Sequence, residues 1–193
     1  MRATTCFLIL GLIALVFACG NDDDNSPGEP QIEEGLFYDG PNANAPFLPA
    51  GEYEAAVRFP AGQTSQYSGR QLRSVYLYFY NLPTGVQVKI YSGEDSSTPD
   101  SLLYSGNITR NELTAFAWSE HVLDAPLQIT GTDLWVSTRF VHPFDQQSIG
   151  CDAGPRNSNG GDYLFEESNN AWTTYQDLTN GESINWNIRA EVE

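Results

Sequence analysis

An all-β sandwich is the fold class the sequence predicts, and three observations carry it. Between residues 35 and 193, apolar and polar residues alternate over short stretches; the stretches are separated by turns rich in Gly, Pro, Asn and Asp; and no segment sustains the 3.6-residue period of an amphipathic helix. Short strands at that turn density pack as antiparallel sheets face to face. There is no convincing internal repeat, and about 160 residues suffice to bury a real core, so 35–193 reads as one domain.

Residues 1–18 read as an export signal. Arg2 supplies a positive start, 7–17 form an apolar run of eleven residues, and the small Ala18 precedes Cys19. The run falls short of the ~20 apolar residues of a bilayer span, and it ends against Asp22, Asp23 and Asp24. Its ending, Val16-Phe17-Ala18-Cys19, resembles the bacterial lipobox. That resemblance implies cleavage before Cys19, acylation of its thiol, and outer-membrane lipid as a partner. An ordinary secretory signal with a fortuitous cysteine and an uncleaved anchor are the alternatives.

Residues 19–34 hold one large apolar residue, Ile32, among acidic residues and prolines, a composition that reads as a lipidated, acidic, flexible tether. An acidic stretch at this place resembles the surface-export signal of Bacteroidetes-type lipoproteins, which implies the cell surface as the location; a plain solvated spacer is the other reading.

Strands are then expected at 53–59, 72–80, 86–91, 102–105, 113–123, 127–130 and 134–141. In 72–80, Leu72, Val75, Leu77 and Phe79 share one face and Tyr76, Tyr78 and Tyr80 the other. In 86–91, Val86, Val88 and Ile90 alternate with Gln87, Lys89 and Tyr91. The last strand sets Ile184, Trp186, Ile188, Ala190 and Val192 against Asn185, Asn187, Arg189 and Glu191. One short helical turn is expected within 62–69, and 156–178 reads as a loop-rich region.

The formal charge of −16 becomes −17 once Arg2 leaves with the signal, a balance that disfavours nucleic acid as a partner and suits a solvated exterior protein. With Cys6 removed and Cys19 acylated, Cys151 stands alone, so no internal disulfide forms and the core carries the stability. Cys151 is expected to be buried.

The runs Leu72-Arg73-Ser74-Val75-Tyr76-Leu77-Tyr78-Phe79, Val88-Lys89-Ile90-Tyr91-Ser92-Gly93, Asp133-Leu134-Trp135-Val136, Gly150-Cys151-Asp152-Ala153-Gly154-Pro155 and Asn185-Trp186-Asn187-Ile188-Arg189-Ala190 follow one another in an order that resembles the jelly-roll adhesin modules of Bacteroidetes surface proteins, related to the cleaved adhesin domains of gingipain proteases. The resemblance covers roughly 35–193. It implies a jelly-roll-like antiparallel sandwich, surface display, and binding of carbohydrate or protein; some relatives hold calcium. Here one copy sits directly behind a lipid signal, whereas such modules are usually appended to proteases or repeated.

Catalytic signatures are weak. His121, His142 and Cys151 define no dyad by sequence, Asn111-Glu112 and Glu166-Glu167 are carboxylates of no diagnostic spacing, and phosphate loops, HExxH and nucleophile elbows are missing, so the reading is non-enzymatic. For a metal, Asp39, Asn42, Asn44 and Glu52, joined by Glu191 if the last strand pairs beside the first, are hard-oxygen candidates for a structural calcium; a simple turn at Asp39-Gly40-Pro41-Asn42 is the alternative. Among the 24 aromatic residues, Trp172, Tyr175 and Tyr163, with Asn169 nearby, are the candidate ligand-binding group, because rings stack on sugars and amides bond their hydroxyls. Trp172 merely covering the sandwich end is the plainer reading. The functional expectation is a lipid-anchored surface module for adhesion or ligand binding, with a structural or accessory subunit of an outer-membrane complex as the alternative.

Overall fold

The computed structural model describes residues 28–93 and 97–193. The signal at 1–18, Cys19 and the first half of the expected tether lie outside the described residues. In chain order the elements are β1 (Gly35–Leu36), β2 (Phe47–Leu48), β3 (Gly51–Phe59), α1 (Ala61–Thr64) with a 3₁₀ turn at Ser65–Tyr67, β4 (Gln71–Phe79), β5 (Thr84–Gly93) and β6 (Leu102–Ile108). A 3₁₀ turn at Arg110–Glu112 leads to β7 (Ala117–Gln128) and β8 (Asp133–His142), then β9 (Gln146–Gln147), β10 (Tyr163–Glu166), β11 (Ala171–Thr174), α2 (Tyr175–Thr179) and β12 (Ile188–Val192).

These strands form an all-β antiparallel sandwich. One sheet has four strands in the order β1-β12-β4-β7, the other six in the order β11-β10-β3-β8-β5-β6, and β2 and β9 make a small ribbon. The chain crosses between sheets from β3 to β4, β4 to β5, β6 to β7 and β7 to β8, the weave of a jelly-roll-like sandwich. Alternation decides what lies between the sheets: Val75, Leu77, Phe79, Ile188 and Ala190 from the smaller sheet meet Val57, Phe59, Val88, Ile90, Val136 and Phe140 from the larger. Cys151 is buried, as its lone thiol predicted.

Two irregularities explain how the sequence fits. Leu72 and Val75 are three residues apart yet both face the core, because the pairing of β4 with β7 shifts register between Leu72 and Ser74. Opposite that shift, β7 runs unbroken through Pro126 to Gln128 where two strands were expected. As an edge strand, β7 loses no ladder bond to the missing proline N–H.

The last strand departs most from expectation. Asn185, Asn187 and Arg189, set by alternation on the face opposite Trp186, Ile188 and Ala190, are 2%, 0% and 5% exposed. The segment 28–44 lies over Asn187 and Arg189, whereas Asn185 is held by Asp152 and the Pro155 carbonyl. Arg189 Nε donates to both oxygens of Asp39 at 3.0 and 3.1 Å, its Nη2 pairs with Glu29 at 2.7 Å, and its guanidinium lies 4.5 Å from the Trp118 ring centroid and 5.1 Å from that of Phe37. Glu34 is held as well, by an ion pair to Arg70 and by the Val192 N–H on its carbonyl. The packed domain thus begins by Glu29 rather than at residue 35, which shortens the expected tether of 19–34.

Candidate binding face

The chain's own N-terminal segment covers Asn187 and Arg189 on the outer face of the four-stranded sheet, and the outer face of the six-stranded sheet carries rows of polar and aromatic side chains. Strand pairing sets its side chains in rows. Trp172 lies opposite Phe165, Phe165 opposite Glu54, Glu54 opposite Arg139, Arg139 opposite Gln87 and Gln87 opposite Asn107. The next row reads Thr174, Tyr163, Ala56, Ser137, Lys89 and Ser105, and beyond it Arg58, Trp135 and Tyr91 lie side by side. Side chains in one row sit within about 5.5 Å of their neighbours, close enough to act together.

Glu54 is the hub. It is 4% exposed, and its carboxylate accepts from Lys89 Nζ at 2.7 Å, Tyr91 OH at 2.9 Å and Ser137 Oγ at 2.6 Å. Burial, followed by the neighbouring Glu54 charge, drives the Tyr91 phenol well above its ordinary value, so it stays a donor. Arg139 pairs with Glu52, and Gln87 Nε2 donates to Asn107 Oδ1 at 3.0 Å. An indentation of about 50 Å³ opens between Glu52, Glu54, Lys89, Arg139 and Phe165.

Rings border this polar row. The Trp135 centroid lies 4.5 Å from Tyr163 and 5.9 Å from Trp172, and Trp172 lies 5.4 Å from Phe165. Trp135 is fully buried because Gly93 leaves room for it: a Cβ there would stand 2.6 Å from its indole nitrogen. Trp172, Phe165 and Tyr163 are half-buried, each keeping part of its surface open. Part-exposed rings beside pre-paired charges and amides suit a flat polyhydroxylated ligand: rings take its C–H faces, while Arg139, Gln87 and Asn107 reach its hydroxyls.

The expected aromatic group is therefore assembled in part. Tyr163 and Trp172 share the cluster through Trp135. Asn169 stands in the turn that joins β10 to β11, its amide bonded to the Glu166 carboxylate. Tyr175 does not join them. It starts α2, is 6% exposed, and packs edge-on against Trp186 in the core, its hydroxyl on Glu182 at 3.2 Å. Glu54, Lys89, Arg139 and Phe165 were missed. The polar alternation of 86–91 signalled Lys89, whereas a glutamate between Tyr53 and Ala55 gave no sign that it faces a partner 35 residues away.

The five calcium candidates do not form a cage. Burial pushes Asp39 up to about 6 against the lowering influence of Arg189, and that guanidinium, with Asn187 Nδ2 at 2.6 Å, already answers the carboxylate. Asn42 lies nearby, but Asn44 Oδ1 accepts from Gln147 and Glu191 from Tyr76. Glu52 belongs to the other sheet. The last strand does pair beside the first, Gly35 opposite Glu191, without bringing the carboxylates together. Among the described residues no three His, Cys, Asp or Glu side chains are grouped to hold a metal ion, and the five candidates are not brought together at one point.

The histidines and the thiol are each engaged separately. His142 Nε2 lies 2.8 Å from Ser148 Oγ and His121 Nε2 lies 2.8 Å from Tyr104 OH, while burial pushes Cys151 up to about 12. A thiol so placed is a poor nucleophile.

No family model, curated protein or solved structure matches the chain.

Proposed function

We propose that the chain is a non-catalytic, lipid-anchored module of the cell surface that binds carbohydrate through the outer face of its six-stranded sheet. The observation that supports this reading is the row Trp172, Phe165, Glu54, Arg139, Gln87, Asn107, which places part-exposed rings beside fixed polar groups on an open sheet face. Export and acylation at Cys19 follow from the signal grammar, and the acidic balance argues against nucleic acid. The resemblance to adhesin modules agrees with the role, and protein ligands belong to the same reading.

The test is a glycan array probed with the mature chain beginning at Cys19, repeated with Trp172→Ala and Arg139→Ala. Retained folding with binding lost in both variants supports the sheet face. Glycan binding unaffected by either would move the site elsewhere, and a blank array from folded protein would retire the carbohydrate reading. A structural or accessory subunit of an outer-membrane complex is the second reading, favoured by the exposed rings of Phe47, Phe116 and Phe144.

A further inference from the structure

The three most exposed large apolar side chains among the described residues are Phe47, Phe144 and Phe116, at 64%, 63% and 60%. All three lie at one end of the sandwich. Phe47 pairs across the ribbon with Gln147, whose carbonyl accepts from the Asn81 N–H, and the adjacent Tyr80 carbonyl accepts from the Phe116 N–H. Phe47, Leu82, Ala115 and Phe144 line one groove there, with Arg110 and Asp145 at its sides. Core packing does not require rings in these loops, and turn chemistry favours polar residues. Phe116 also holds φ at 56°, a region bulky side chains avoid, and its ring rests edge-on against Tyr80 at 4.8 Å.

The N-terminal segment enters at the same end. Gly28, the first described residue, lines a cavity with Phe116, Trp118 and Tyr78. It follows Cys19 by nine residues, which reach about 30 Å when fully extended. A tether that short holds this end close to whatever holds Cys19, at an effective concentration where a weak contact is enough. Phenylalanine is among the side chains that settle at the boundary of headgroups and acyl chains. Arg110 against Glu112 and Asp145 leaves this end weakly acidic, so the rings rather than charge hold it to the interface.

We propose that this end seats on the bilayer that carries Cys19, with Phe47, Phe116 and Phe144 entering the lipid interface. The proposal rests on the anchoring stated above and adds an orientation: β3 starts and β8 ends at this pole, so the strands rise from the membrane and the row through Glu54 and Arg139 stands three residues, about 10 Å, above those strand ends.

The test uses the full chain made with its own signal in a bacterial host and extracted from the membrane. Mass spectrometry of the N-terminal peptide reads acylation at Cys19, and the protein is then reconstituted in phosphatidylcholine vesicles with or without brominated acyl chains. Phe144→Trp emission, taken as the difference from the parent chain, is expected to fall severalfold on brominated lipid, while Thr130→Trp at the opposite pole is unchanged. Unchanged Phe144→Trp emission from an acylated, co-floating chain overturns the docking and leaves the anchor standing. An unacylated Cys19 removes the anchor and the docking with it. Self-association that rises with concentration and disappears in Phe47→Ser/Phe144→Ser would assign the rings to a second copy and also overturn the proposal.

Discussion

On the outer face of the four-stranded sheet, Arg189 is buried between Phe37 and Trp118 and paired to Asp39 and Glu29. On the outer face of the six-stranded sheet, Lys89 and Arg139 are also paired to carboxylates and flanked by rings, yet their side chains keep 18% and 36% of their surface open. The inventory is the same: a cation, an acid and an aromatic neighbour. What differs is the segment 28–44, which closes over Arg189 on the first face, whereas among the described residues none is laid over Lys89 and Arg139 in that way. Charge and rings on a sheet face therefore do not distinguish a site from a clasp; what the rest of the chain lays over them does.

That comparison is sharpened first by Arg189→Met, which removes a buried cation from two acids. It is expected to cost about 3–5 kcal/mol in urea unfolding, because the acids are left uncompensated. Asp39 gives the loss a pH signature. Folded, it binds its proton near 6, above its ordinary 3.8, so its protonation favours the fold at low pH and that contribution fades as pH rises through about 6. Removing Arg189 raises Asp39 further, so the deficit of the variant should narrow as pH falls toward about 6, where the parent's Asp39 takes up its own proton. A deficit under about 1 kcal/mol would erase the distinction between the two faces.

Next comes Lys89→Met, where Glu54 keeps Tyr91 and Ser137 as donors and the expected cost is about 2 kcal/mol. A loss equal to that of Arg189→Met would mean the second face is as sealed as the first. Trp172→Ala uncovers part of Trp135 and Phe165, with about 1–2 kcal/mol lost on unfolding and ligand affinity on the array reduced about tenfold or more. The smallest effect is expected for Gln87→Ala. Its partner Asn107 is exposed, so stability should stay within about 0.5 kcal/mol while ligand affinity falls a few-fold. An unchanged affinity there would narrow the site to its aromatic end.

The strands that alternate cleanly were legible because period two records a sheet with one wet and one dry face: Val86, Val88 and Ile90 lie in the core and Gln87, Lys89 and Tyr91 outside it. The same rule put Asn187 and Arg189 on the face away from the core but not beneath a cover, because that cover includes Asp39, about 150 residues away along the chain. Separation of that length leaves no local trace. The hairpin of β10 and β11 was missed within a stretch read as loop, although Tyr163-Leu164-Phe165 and Ala171-Trp172-Thr173-Thr174 flank an Asn-rich turn, a hairpin pattern in short form. That omission hid most of the site, since the hairpin carries Phe165 and Trp172 to the edge of a row whose other members sit on β3, β8, β5 and β6.

The pairing of β1 with β12, reinforced by Glu29 on Arg189, has a mechanical meaning. A protein held by one end and pulled by a ligand carries load along the line between them. Tension arriving through Gly28 meets the Glu29–Arg189 ion pair first and passes into β12 and β4, in the sheet opposite the candidate binding face. With the chain anchored as proposed, the clasp is loaded ahead of β3, β5 and β8, which lie in the other sheet.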